Sequence, residues 1–116
     1  MKIIIAGGRD FNDYNKLKIV CDHTFRKLTA VEIVSGTARG ADKLGEKYAK
    51  EKGYKIKRFA ADWNKHGRSA GYIRNAEMAK YASVLIAFWN GDTKHSGTYH
   101  MINLAKKGGL KVKIVK

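Results

Sequence analysis

The sequence predicts an α/β fold: a three-layer α/β/α sandwich built on a five-stranded parallel sheet. Three observations lead there. Apolar runs alternate along the chain with segments of helical periodicity, which is the signature of consecutive βαβ units. Glycines stand just past the ends of helical segments, where helices stop. Two of the five strand-like segments carry alternating lysines and three do not, which separates edge strands from central ones.

The elements follow in order. Lys2–Ala6 is a continuous apolar run and reads as a strand buried on both faces. Leu17, Val20, Cys21, Thr24 and Leu28 then share one helical stripe. Val31–Ser35 is the second apolar run. Ala41, Leu44, Tyr48 and Ala49 mark a second helix that closes at Gly53. Tyr54–Phe59 alternates, with Lys55 and Lys57 set against Ile56 and Phe59. An Ala-rich helix runs from about Gly71 to Ala82, and the segment before it (Trp63, Asn64, Lys65, His66, Gly67, Arg68, Ser69) reads as a mobile polar loop. Ser83–Trp89 is the third apolar run. The last helix runs from about Gly97 to Lys107, with Met101, Ile102 and Ala105 inward, and stops at Gly108 and Gly109. Leu110–Val115 alternates again, Lys111 and Lys113 against Val112 and Ile114. Placing the lysine-bearing strands at the edges yields the order 3-2-1-4-5, which right-handed crossovers permit. In that order the direction reverses between strands one and four, and a ligand is expected in the crevice outside the carboxyl ends of the strands.

Composition bounds the rest. A chain of 116 residues holds one domain, taken as residues 1–116. With 44% hydrophobic and 29% charged residues it is a globular chain and not a disordered one. Lys plus Arg is 24 against 10 acids, a net charge of +14, so an anionic partner is expected: a nucleotide, nucleic acid or an anionic surface. Ten acids leave little for a calcium or carboxylate-metal site. No apolar run is long enough to cross a bilayer, and the N-terminus has no signal-peptide core, so the expectation is a cytoplasmic protein without a membrane partner. Cys21 is alone, which precludes an internal disulfide and fits a packed thiol.

Three loops carry the expected chemistry. After the first strand come Gly7, Gly8, Arg9 and Asp10; the glycines let a ligand approach backbone N–H groups, and Arg9 offers a planar fork for phosphate. After the second come Ser35, Gly36, Thr37, Ala38, Arg39 and Gly40, opening a helix whose N-terminus favours phosphate. Asp42 there either caps the helix or holds a ribose hydroxyl. After the fourth come Trp89 to Thr98, where Ser96, Gly97 and Thr98 open a helix in the same way. Arg68 precedes the Ala-rich helix, and Arg74 and Asn75 lie in its first turns, with Arg74 expected to point at the crevice. Trp63 either stacks on a base or closes a core edge.

Absent motifs are as telling. No G-x-G-x-x-G with a following ribose-binding acid exists, which disfavours NAD, and no G-x-x-x-x-G-K-[ST] exists, which excludes a P-loop NTPase. His95 and His100 lack ligand companions at metal spacing, so no metal and no cofactor are expected. No G-x-S-x-G elbow is present.

The segments GGRDF (7–11), SGTARGAD (35–42), GYIRNAEM (71–78) and HSGTYHMI (95–102) resemble the SLOG superfamily of Rossmann-like domains, which includes the Lonely Guy proteins and DNA-processing protein A. Within it the chain is similar to the small YspA-type branch of bacteria and their phages. The resemblance spans nearly the whole chain. It implies a nucleotide or nucleotide-derived ligand, for sensing, sequestration or processing. Lonely Guy enzymes are nucleotide N-glycosidases (phosphoribohydrolases); Arg74, Gly97 and Thr98 match their Arg and Gly-Thr, but their catalytic Glu falls on His100. Glycosidic cleavage ordinarily requires a carboxylate, for which Asp10, Glu77 and Asp92 are the stand-ins. The DNA-processing branch shares Ser-Gly-x-Ala-x-Gly at 35–40 and implies single-stranded nucleic acid as the rival ligand. Lonely Guy relatives also imply a homo-oligomer, a dimer or larger. The positive charge divides in the same sense. Arg9, Arg39, Arg68 and Arg74, with Lys65 and Lys94, belong to the site loops. Lys55, Lys57, Lys111 and Lys113 guard edges, and Lys16, Lys18, Lys43, Lys47, Lys50 and Lys52 are expected on solvent faces of helices.

Overall fold

A computed structural model describes residues 1–91 and 97–116. The elements are β1 (Lys2–Gly7), α1 (Tyr14–Phe25), β2 (Glu32–Ser35), α2 (Ala41–Lys52), β3 (Lys55–Arg58), α3 (Trp63–His66), α4 (Ala70–Tyr81), β4 (Val84–Phe88), α5 (Gly97–Lys107) and β5 (Lys111–Val115). The strands form one sheet in the order β3-β2-β1-β4-β5, and every pairing is parallel. The predicted class and strand order are both observed.

The central position of β1 explains its composition. Ile4 is in register with Val34 on one side and Leu85 on the other. Alternate side chains enter opposite layers, as the pleat requires. Ile3 and Ile5 pack with Leu17, Cys21, Phe25 and Tyr48 from α1 and α2. Ile4 and Ala6 pack with Met78, Met101 and Ile102 from α4 and α5. The two layers therefore meet through β1, whose Ile3–Ala6 segment is buried throughout. Cys21 is fully buried in the first layer, and burial pushes its thiol up to about 12. No helix among the described residues is long and apolar enough to cross a membrane.

Local signals set the helix ends. Asp13 caps α1 by accepting the Lys16 N–H at 3.0 Å. Gly53, at φ +75°, closes α2 in the left-handed conformation. The lysines of β3 and β5 are exposed at the sheet edges, as expected.

Three expectations need correction. The 63–69 segment is helical: α3 is a single turn, followed by a 3-10 turn (Gly67–Ser69) that runs into α4. Its cause is the Asp62 carboxylate, which accepts the Lys65 N–H at 3.0 Å, a cap with no apolar periodicity behind it. Ile114 is exposed, whereas Val115 packs against the α1–α2 layer. Lys16 is half-buried: its ammonium donates to the Lys116 carbonyl, so it ties α1 to the end of β5.

Candidate ligand site at the carboxyl edge of the sheet

The loops after β1 and β2 and the start of α5 converge on a cavity of about 430 Å³. Gly7, Gly8 and Arg9 line one wall, Ala38 and Asp42 a second, Gly97 and Thr98 a third, and Arg74 with Asn75 a fourth. Ala6, Met78 and Met101 form an apolar floor. The cavity lies between β1 and β4, where the winding direction of the sheet reverses.

Glycines make the convergence sterically feasible. A Cβ on Gly7 would stand 2.7 Å from the Phe88 carbonyl oxygen and 2.7 Å from the Ala41 Cβ. Gly40, at φ +83°, is packed against the first loop so closely that a Cβ would lie 2.2 Å from the Gly8 oxygen. The Ala41 N–H donates to that same oxygen at 3.4 Å. At Gly36 a Cβ would meet an Asp42 carboxylate oxygen at 2.7 Å and Arg74 Nη1 at 2.9 Å. Gly8 and Gly97, by contrast, face open space. Some of these glycines thus fit loop against loop, and others leave backbone bare to the cavity.

Arg74 is held by its neighbours. Its Nη1 donates to the Gly36 carbonyl and its Nε to Asn75 Oδ1 at 3.0 Å. With Oδ1 so occupied, the Asn75 amide nitrogen faces α5 and donates to the Gly97 carbonyl at 3.2 Å and to His100 Nδ1 at 3.2 Å. The buried Asn75 amide is fully used, and it ties α4 to the first turn of α5. His100 Nδ1 must then accept, so the neutral ring carries its proton on Nε2. Burial, with Lys107 adding to it, lowers the His100 pKa and favours that neutral form. The ring meets Tyr72 edge-on, 4.5 Å between centroids.

Asp42 is the carboxylate of this cavity. It is buried in the first turn of α2, and one of its oxygens accepts the Ala38 N–H at 3.2 Å. Burial raises it to about 6, against the opposing pull of the Ala38 N–H and the Arg74 charge. Burial lowers the pKa of Arg74 in turn; Asp42 supports its charge and Arg9 opposes it. A second carboxylate, Glu46, braces the loop from behind. It accepts the Ser35 hydroxyl at 2.6 Å and Arg58 Nε at 2.9 Å, while Ser35 Oγ accepts the Thr37 N–H at 3.0 Å. This holds Thr37 at φ +64°, the only non-glycine residue with positive φ among the described residues.

Two further cavities adjoin. One of about 390 Å³ lies beyond Arg9 and Arg74 and is lined by Gly36, Thr37, Arg39, Ala61 and Trp63, among others. The other, about 500 Å³, is lined by Asp10, Phe11, Lys16, Trp89 and Thr98, among others.

The expected site residues therefore divide. Gly7, Gly8, Arg9, Asp42, Arg74, Asn75, Gly97 and Thr98 line the first cavity. Gly36, Thr37 and Arg39 line the second, Asp10 and Trp89 the third. Ser35 is buried and supports the loop through Glu46. Arg68 is exposed on the 3-10 turn and lines none of these cavities. Ser96, Lys94 and Asp92 lie outside the described residues. Asp10 and Glu77 are exposed and do not reach the first cavity. Among the described residues, no cluster of three or more His, Cys, Asp or Glu side chains could hold a metal ion. The methionine floor and Glu46 escape sequence reasoning: Met78 and Met101 carry only the signal of helix-core positions, and Glu46 looks like a solvent-face acid.

Comparison with known proteins agrees with this architecture. Residues 1–66, more than half of the chain, match the family described as YspA, cpYpsA-related SLOG. The chain is 32% identical over 118 residues to the Gene 61 protein of Mycobacterium phage D29, covering 96% of this chain and 93% of that one. Its fold is similar to that of DNA processing protein A from Streptococcus pneumoniae, with a TM-score of 0.75 at 18% identity over 99% of this chain. The chain spans half the length of that structure.

Proposed function

The chain belongs to the YspA, cpYpsA-related SLOG family, and from that premise we propose that the carboxyl edge of its sheet binds a nucleotide or nucleotide-derived small molecule through phosphate. The observation that carries this reading is Arg74. It is a partly buried guanidinium, oriented by Gly36 and Asn75, and it lines a cavity whose other walls include the bare backbone at Gly8 and Gly97. Gly97 and Thr98 open α5, so their N–H groups add the partial positive charge of a helix N-terminus. Arg9 supplies a second guanidinium to the same cavity.

His100 does not take the part of a glycosidase carboxylate at this cavity, which leaves Asp42, among the described residues, as the one lining group through which hydrolysis would have to run. The His100 Nδ1 is engaged by Asn75, its Nε2 carries the proton, and its ring does not line the cavity, so it offers no base to a bound ligand. The test is calorimetry against mono-, di-, tri- and cyclic nucleotides. Arg74→Ala is expected to weaken binding at least about 10-fold, as loss of a charge-assisted contact does. Unchanged affinity in Arg74→Ala and Gly97→Ala would exclude this edge as the site. Chromatography of the same mixtures is expected to show no released base.

A further inference from the structure

Each Phe, Tyr and Trp ring of the described residues has a ring or cation partner except one. Phe11 meets Phe88, Trp89 meets Tyr99, Tyr72 meets His100, and the remaining tyrosines and phenylalanines pair likewise or lie under lysines. Among the described residues Trp63 has neither kind of partner, and it is 55% exposed. It is not left over from the core. The Asp62 cap fixes the α3 turn that carries it, and its ring forms a wall of the 390 Å³ cavity. The other lining residues of that cavity suit a flat heterocycle with polar edges: small side chains at Ala60 and Ala61, with Thr37 and Arg39 on the β2 loop. The third cavity is the weaker candidate, because each of its aromatic rings already has a ring partner.

The first two cavities share Arg9, Ala38 and Arg74. A ligand holding phosphate beside Gly8 and Gly97 can pass over Arg74 and enter the second cavity. We propose that Trp63 is the base-stacking wall of a nucleoside-phosphate site, the nucleobase lying in the cavity formed with Thr37, Arg39, Ala60 and Ala61 while the phosphate lies across Arg74. This rests on the phosphate reading above and adds the base subsite to it. Stacking on one aromatic side chain accepts any base, because every base has a π-face. The ligand class is therefore a nucleoside phosphate with loose base preference.

The experiment compares adenosine 5′-monophosphate with ribose 5-phosphate by calorimetry on the wild type, Trp63→Ala and Trp63→Phe. The exposure of Trp63 makes these variants compatible with folding, which circular dichroism checks. Trp63→Ala is expected to lose at least about 5-fold in affinity for the nucleotide and nothing for ribose 5-phosphate, and Trp63→Phe to retain most of the nucleotide affinity. Equal effects on the two probes, or no effect on either, overturns the base subsite while leaving the phosphate site standing. Failure of both probes to bind overturns both. Binding of a single-stranded oligonucleotide that depends on Trp63, with no binding of the mononucleotide, replaces the small-molecule class with nucleic acid and overturns the proposal as stated.

Discussion

Asp42 shows how one residue sets a cost at the site. Its folded-state carboxyl is raised from 3.8 to about 6 by burial. The folded protein therefore holds this proton more tightly than the unfolded chain does. Between about pH 4 and pH 6 stability falls as pH rises, and at pH 7 the ionised carboxylate costs on the order of 2–3 kcal/mol. Asp42→Asn keeps the shape and an acceptor for the Ala38 N–H. It is expected to raise stability at pH 7 by about 1–3 kcal/mol and to flatten the decline between pH 4 and 6. Urea denaturation at a series of pH values reads both; a variant less stable than wild type at pH 7 would refute the assignment. A raised carboxyl beside Arg74 supports the site proposed at this edge. Arg74 itself was legible in the sequence because it stands among helix-forming residues at the crevice end of α4. Asn75's full use of its amide was not, since the partner carbonyl of Gly97 is 22 residues away.

At the scale of elements, the sheet was legible and the α3 turn was not. β1, β2 and β4 must be apolar on both faces, and β3 and β5 need lysine on the edge, so burial writes the strand order into composition. The α3 turn depends on one aspartate cap and a positive φ at Gly67, signals too short for periodicity to register. The same turn explains Arg68, which it holds on the exposed surface, away from the cavities. The contact between the β1 and β2 loops is an element-level feature with a sharp test. Gly40→Ala must relax φ +83° and a 2.2 Å approach to the Gly8 oxygen. The conformational strain alone amounts to about 1–3 kcal/mol, so thermal melting is expected at least about 4 °C lower. An unchanged melting temperature would show that the two loops are not locked together.

For the whole molecule, the charge of +14 is distributed and not focused. Exposed lysines occupy the outer faces of α1 and α2 and both edge strands, while Arg9 and Arg74 stand at the cavity. A mononucleotide bound at that cavity meets few of these charges, whereas an oligonucleotide would meet many. Oligonucleotide affinity is accordingly expected to fall with salt by roughly 0.7 log unit per log unit for each phosphate neutralised. Mononucleotide affinity is expected to fall much less. Fluorescence anisotropy and calorimetry across a salt series separate the two, and equal salt dependence would mean that the lysine coat takes part in ligand capture.

The interlock at Gly40 has a thermodynamic meaning of its own. The Gly8 backbone and the start of α2 are fitted together by folding, and β1 is paired with β2 over Lys2 to Ile4 and with β4 over Ile3 to Gly7. The chain entropy of shaping these two loops is therefore spent before any ligand arrives. Association at this edge orders little backbone there, and more of the contact energy remains as affinity.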